Sequence, residues 1–144
     1  MKLLHKQDAF SLVELMIVVA VLAILAAIAI PSYLGIQKRA ARSEAKSNLQ
    51  ALSLALESYM AENNDYGAVS TYTYFGGSFG GDLSELSNIT QLGNNILYEY
   101  QIKTFASPSP SYTILAVPQR GVVEDDITIW LDSNGDKGPP GAGW

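Results

Sequence analysis

Cysteine is absent from the chain, and histidine occurs once, as His5. A disulfide framework, a thiolate zinc site and a cysteine nucleophile are therefore excluded, and the compartment stays open. A lone histidine before the long apolar run leaves almost nothing for a Ser-His-Asp site or a histidine metal cluster. Charge is also scarce: 16% of the 144 residues, with a net charge of −5 and no basic block. A nucleic-acid surface has little to start from, so none is expected. The length allows one small domain and a targeting element.

What the chain does have is "AFSLVELMIVVAVLAILAAIAIP", from Ala9 to Pro31. Between Phe10 and Ile30 only Ser11 and Glu14 are polar, and the next charge is Lys38. About 21 helical residues rise about 30 Å, the thickness of bilayer hydrocarbon. A plain anchor, a secretory signal peptide and a helix retained for function all fit this outline. Lys2, Lys6 and the small-x-small triplet Ala27-Ile28-Ala29 suit a signal peptide, but its apolar region needs only about 7–15 residues. A carboxylate at the bilayer centre costs about 2.5–3.5 kcal/mol on insertion scales, and less near an interface. Glu14 is thus either a functional group or a side chain that snorkels to the headgroups.

The stretch "AFSLVELMIVVAVLAILAAIAIPSY" resembles the N-terminus of type IV pilin and pseudopilin precursors, and the likeness covers about residues 2–60. A short basic leader ends in a small residue. An aromatic residue follows, then a glutamate four positions on, and a proline closes the segment. Ala9 stands where glycine is usual, with Asp8 beside it. The resemblance implies cleavage by a prepilin peptidase between Ala9 and Phe10 and N-methylation of the new Phe10 amine. It also implies a charge pair in assembly: Glu14 of an incoming subunit neutralises the Phe10 amine of a neighbour, since either charge is costly alone in a low dielectric.

The implied fold is α+β, a pilin fold. A long, Pro-kinked N-terminal helix packs at its C-terminal half on a small antiparallel β-sheet. Residues 1–9 would be the leader, 10–30 the transmembrane and filament-core half of the helix, and 31–144 a periplasmic or extracellular head. The implied function is a structural, non-enzymatic subunit of a homo-oligomeric helical pilus for adhesion or motility. The precursor would cross the bacterial inner membrane once, N-terminus cytoplasmic, and the pilus assembly machinery would then draw it into an extracellular filament. No cofactor is expected. The alternative is the major pseudopilin of a type II secretion system. An anchored or exported enzyme is a third reading, and it loses the only histidine with the leader. One count runs against the orientation: two lysines precede the span, while Lys38, Arg39, Arg42 and Lys46 follow it.

Beyond Pro31, which is expected to kink or loosen the helix, apolar residues recur at helical spacing: Leu34, Ala41, Ala45, Leu49, Leu52, Leu56 and Tyr59. Ser43, Lys46, Ser47, Gln50, Ser53 and Glu57 fall largely on other faces. Asn63-Asn64-Asp65-Tyr66-Gly67 reads as the stop. Residues 67–94, with "TYTYFGGSFGG", read as a surface loop that includes the triplet Asn88-Ile89-Thr90. Alternation around Ile96, Tyr98, Tyr100 and Ile102, then "SYTILAV" (Ser111–Val117) and "ITIWL" (Ile127–Leu131), predict three strands in an antiparallel meander. In "DSNGDKG", Asp132, Asn134 and Asp136 carry oxygens at alternate positions, as at the start of a calcium loop. Lys137 replaces the glycine such a loop wants, and an Asn-Gly turn is the competing reading. "GPPGAG" reads as a rigid terminal turn.

Overall fold

The structure, a computed structural model, describes residues 10–74, 79, 83, 86, 97–106 and 109–144. The leader with Ala9, the triplet at Asn88 and Ile96 of the expected first strand lie outside the described residues.

Helix α1 runs Leu12–Asn63. Ser11 caps its start: the hydroxyl accepts the Val13 N–H at 3.3 Å, and the carbonyl accepts the Leu15 N–H at 3.2 Å. At the other end Asn64 takes a φ of 60° and donates its N–H to the Met60 carbonyl at 2.8 Å. This is the left-handed termination that asparagine tolerates, so the expected stop signal is where the helix ends. The helix continues through Pro31.

Two compact units divide at Ile36 and Gln37. The described part of the first is helix with a short lead-in. Its large side chains, from Phe10 to Ile36, are exposed. An 18-residue window of α1 has mean hydropathy 3.0 and none of it is buried, so α1 is long and apolar enough to cross a membrane.

The second unit contains the rest of α1 and a five-stranded antiparallel meander in the order β1-β2-β3-β4-β5. The strands are β1 Thr71–Thr73, β2 Tyr98–Phe105, β3 Ser111–Pro118, β4 Ile129–Asp132 and β5 Lys137–Gly138. Tyr100 lies opposite Ala116, and Ile102 opposite Ile114. Period-two alternation buries Tyr98, Tyr100, Ile102 and Thr104 of β2 with Tyr112, Ile114 and Ala116 of β3. Against this face lie Ala41, Ala45, Leu49, Leu52, Ala55 and Leu56 of α1. Each large aliphatic side chain so buried contributes about 1.5–3 kcal/mol.

The expected α+β pilin-like fold is present, with three differences in detail. Leu34 is not part of the buried stripe, being 47% exposed; the stripe begins at Ala41. Two short strands, β1 and β5, flank the three expected ones. The Gly/Tyr-rich segment is not merely a surface loop. Tyr72 and Tyr74 are buried with Phe79, Leu83 and Leu86, and β1 pairs with β2. Its aromatic and leucine side chains have enough apolar area to favour burial whatever the glycines between them do.

Candidate functional site

Phe10 and Ser11 precede the first turn of α1, and Phe10 is 80% exposed. Glu14 is in that first turn, also exposed. The unsatisfied N–H groups there carry partial positive charge, so a carboxylate is favoured locally before any partner arrives. Phe10 and Glu14 thus sit at one end of an apolar stretch of α1 whose large side chains, up to Ile36, are exposed among the described residues. Ala9 lies outside the described residues. Pro31 lies within the same helix and does not interrupt it.

The head has a second polar centre, which sequence reasoning missed. Asp126, in the β3–β4 connection, has a side chain only 2% exposed. Arg42 of α1 grips it with two nitrogens, Nε donating to Oδ2 at 3.1 Å and Nη2 donating to Oδ1. The Tyr98 hydroxyl donates to Oδ2, and the Ile127 N–H donates to Oδ1 at 2.9 Å. Lys38 Nζ stands 3.9 Å from Oδ1. Burial opposes ionisation of this carboxyl, but the hydrogen bonds from Arg42 and Tyr98 prevail and hold its pKa at about 2. The Arg42 pKa is raised, its hydrogen bond to Asp126 being the main cause.

Three further tyrosines continue this seam. Asn48 donates to the Tyr100 hydroxyl at 2.8 Å; the Tyr112 hydroxyl is 2.8 Å from Ser53 Oγ and donates to Glu57 at 3.0 Å. Tyr66 donates to the same carboxylate at 3.2 Å. Burial pushes the Tyr100 phenol up to about 12 and raises Tyr98 and Tyr112 as well. Ser53 and Glu57, read as residues of other helix faces, therefore bond to the sheet residue Tyr112. No sequence pattern pairs Asp126 with Arg42, since 84 residues separate them. The only signal was a run of three acidic residues, Glu124-Asp125-Asp126, in a chain with few charges.

The calcium candidates lie on the β4–β5 turn. Asp132 Oδ1 accepts the N–H groups of Asn134 and Asp136, each at 2.9 Å, and Gly135 has a φ of 84°. This carboxylate is occupied in shaping an Asx turn. Among the described residues no group of three His, Cys, Asp or Glu could hold a metal ion.

Residues 31–126 match the family model described as type IV minor pilin ComP, DNA uptake sequence receptor. The chain belongs to this family of type IV pilins. Residues 4–30 of the pilin match the prokaryotic N-terminal methylation motif. It is 54% identical over 57 residues to the type IV major pilin protein PilA of Myxococcus xanthus, covering 40% of this chain and 26% of the relative. A fimbrial protein of Pseudomonas aeruginosa is 48% identical over 59 residues, 41% of this chain and 38% of the relative. The type II secretion system core protein G of Pectobacterium carotovorum is 36% identical over 62 residues, 43% of this chain and 40% of the relative. The alignments thus span between about a quarter and two fifths of these relatives. No solved structure matches the chain.

Proposed function

We propose that this pilin is the structural subunit of a type IV pilus. Its leader is cut between Ala9 and Phe10, Phe10 is N-methylated, and the apolar half of α1 becomes the core of a helical filament. One observation carries the reading: the apolar stretch of α1, unburied among the described residues, has a single carboxylate at its start, inside a matched N-methylation motif. Such a helix is stable only in lipid or against copies of itself. Small side chains at Ala20, Ala23, Ala26, Ala27 and Ala29 let copies approach closely. Glu14 and the methylated Phe10 amine of a neighbour then set register, as a buried polar group does in a coiled coil. Pro31, which has no amide hydrogen, is the natural place for the helix to loosen as subunits pack.

Residues 1–9 are accordingly a leader, 10–30 the span and filament core, and 31–144 the head. The precursor sits in the inner membrane with a cytoplasmic N-terminus, and the mature chain is displayed outside the cell. Its partners are the prepilin peptidase, the assembly machinery and other copies of itself. The role is structural, with no cofactor. The family model's description mentions a DNA uptake receptor. After Pro31, however, acidic residues outnumber basic ones, twelve to seven, which disfavours a phosphate backbone. We therefore propose no nucleic-acid partner.

N-terminal mass spectrometry of protein from its native cells tests the reading. The expected first residue is a methylated Phe10. A mature chain starting at Ile30 would replace it with signal-peptide export. The relatives named as secretion core protein G keep a pseudopilus as the second reading; long fibres sheared from the cell surface favour the pilus over it.

A further inference from the structure

The four cations after the apolar stretch opposed the expected orientation when counted together, but the structure divides them. Arg42 is held by Asp126, and Lys46 donates to the carbonyls of Ala142 and Gly143 at 2.6 and 2.8 Å. These two are engaged within the head. Lys38 reaches Asp126 only at 3.9 Å and keeps 33% of its side chain exposed. Arg39 is exposed and has no partner among the described residues.

The apolar surface does not end at Pro31. Tyr33 and Ile36 are 61% and 60% exposed, and no charge occurs between Glu14 and Lys38. Leu15–Ile36 rises about 33 Å as a helix, which fits hydrocarbon of about 30 Å with a small tilt. A span of Phe10–Ile30 has a similar length, but it submerges Glu14 by about 6 Å and leaves Tyr33, Leu34 and Ile36 in water. Moving the frame to Leu15–Ile36 removes both costs. It puts Glu14 at one headgroup layer, Tyr33 near the other, where tyrosine is favoured, and Lys38 and Arg39 level with the phosphates.

We propose that Lys38 and Arg39 bind anionic phospholipid headgroups and so hold the unassembled subunit with Leu15–Ile36, rather than Phe10–Ile30, in the bilayer. The proposal rests on the membrane-spanning reading above. Charge complementarity selects the partner. The rest of the head is acidic in balance, so an anionic surface repels it on the whole while attracting these two cations beside the apolar stretch. They occur two and three residues after the last apolar side chain, within reach of long, snorkelling stems.

The absence of cysteine provides the test. Single cysteines are introduced into the full-length chain at Leu22, Gly35 and Ser43. A side chain at Gly35 meets nothing within 4 Å, so the helix accepts it. Each variant is reconstituted into phosphatidylglycerol vesicles and treated with a membrane-impermeant maleimide. The expected result is no labelling at Leu22→Cys or Gly35→Cys and rapid labelling at Ser43→Cys. Adding K38Q/R39Q should raise the Gly35→Cys rate, by up to about 25-fold if each cation is worth about fivefold at an anionic surface. R39Q alone, which breaks no contact in the head, should give about fivefold. In phosphatidylcholine vesicles both increases should shrink. Labelling at Leu22→Cys would overturn the membrane reading itself. Protection at Leu22→Cys with rapid labelling of Gly35→Cys in the parent chain would overturn only the new frame. Protection of Gly35→Cys unchanged by K38Q/R39Q, or increases of equal size in both lipids, would overturn the headgroup contact.

Discussion

Helix α1 is built for two environments. Up to Ile36 its large side chains are exposed on every side, with Leu12, Val13, Leu15, Met16, Ile17 and Val18 following one another without a period. From Ala41 to Leu56 the buried residues recur every three or four positions, and polar neighbours hydrogen-bond to the sheet and to its β3–β4 connection. An all-round apolar helix requires an apolar solvent, whereas a striped one requires a single partner face. Hydrophobic content alone does not distinguish a core from a span; the period does.

Variants at the start of the first stretch should have the largest effect. Ala9→Glu places a charge in a peptidase subsite that takes a small residue. Uncut precursor should accumulate in the membrane, with no filaments in electron micrographs. Glu14→Ala makes the stretch more apolar while removing the assembly partner of the Phe10 amine. Membrane fractionation should find it inserted as usual, with pili lost or greatly reduced. Wild-type piliation would reduce Glu14 to a helix-start residue favoured by the dipole.

This contrast was largely legible in the sequence, because both halves rest on local patterns. Continuous apolar residues, the helical stripe and the asparagine stop depend on neighbours a few positions apart. The β2–β4 meander was legible for the same reason. The Asp126–Arg42–Tyr98 centre was not, since long-range pairing leaves no local period. Tyr72, Tyr74 and Phe79 were hidden for a different reason: glycine and serine between them lower the apparent hydrophobicity, though burial is decided one side chain at a time.

The second stretch should break through its stripe. Leu52 is fully buried, and Leu52→Ala should cost about 2–5 kcal/mol through lost burial and a residual cavity. The expected host is a truncation beginning at Gln37, where the second compact unit starts. It should be a soluble monomer in gel filtration, and urea titration of it should report the loss. A stable oligomer of this truncation would place an assembly contact in the head and weaken the division of labour along α1.

Asp126→Ala should cost about 3 kcal/mol, because it leaves Arg42 beside a buried, unpaired tyrosine hydroxyl. The pH dependence follows from the same contacts. The folded Asp126 pKa, about 2, is below its ordinary value of 3.8, so its contribution is present above pH 4 and lost as pH falls toward 2. Tyr100 is raised from 10.0 to about 12, so its contribution is present below pH 10 and lost as pH rises toward 12. Thermal melts of the Gln37 truncation should show a plateau between these limits. In Asp126→Ala the acid limb should flatten while the alkaline limb remains.

The smallest effect expected is at Gly138, and it tests how tightly the far edge of the sheet is built. Gly138 of β5 lies opposite Trp130 of β4. A Cβ built there would stand 2.3 Å from Trp130 Cε2 and 2.4 Å from Nε1, well inside contact distance. The indole therefore lies flat over a residue that must lack a side chain. Trp144 donates to the Gly138 carbonyl at 3.4 Å, and its ring is approached by Lys46 and Lys137 at 5.7 and 5.2 Å. Gly138→Ala must move Trp130 outward, and overpacking of this kind costs about 1–3 kcal/mol. Trp130 emission, measured in a Trp144→Phe background, should shift to the red as the ring gains water. Insertion and Ala9 processing depend on the first stretch of α1, so they should be untouched. Unchanged emission and stability would mean that β4 and β5 yield without strain, and that the tight packing of the head is confined to the helix–sheet seam.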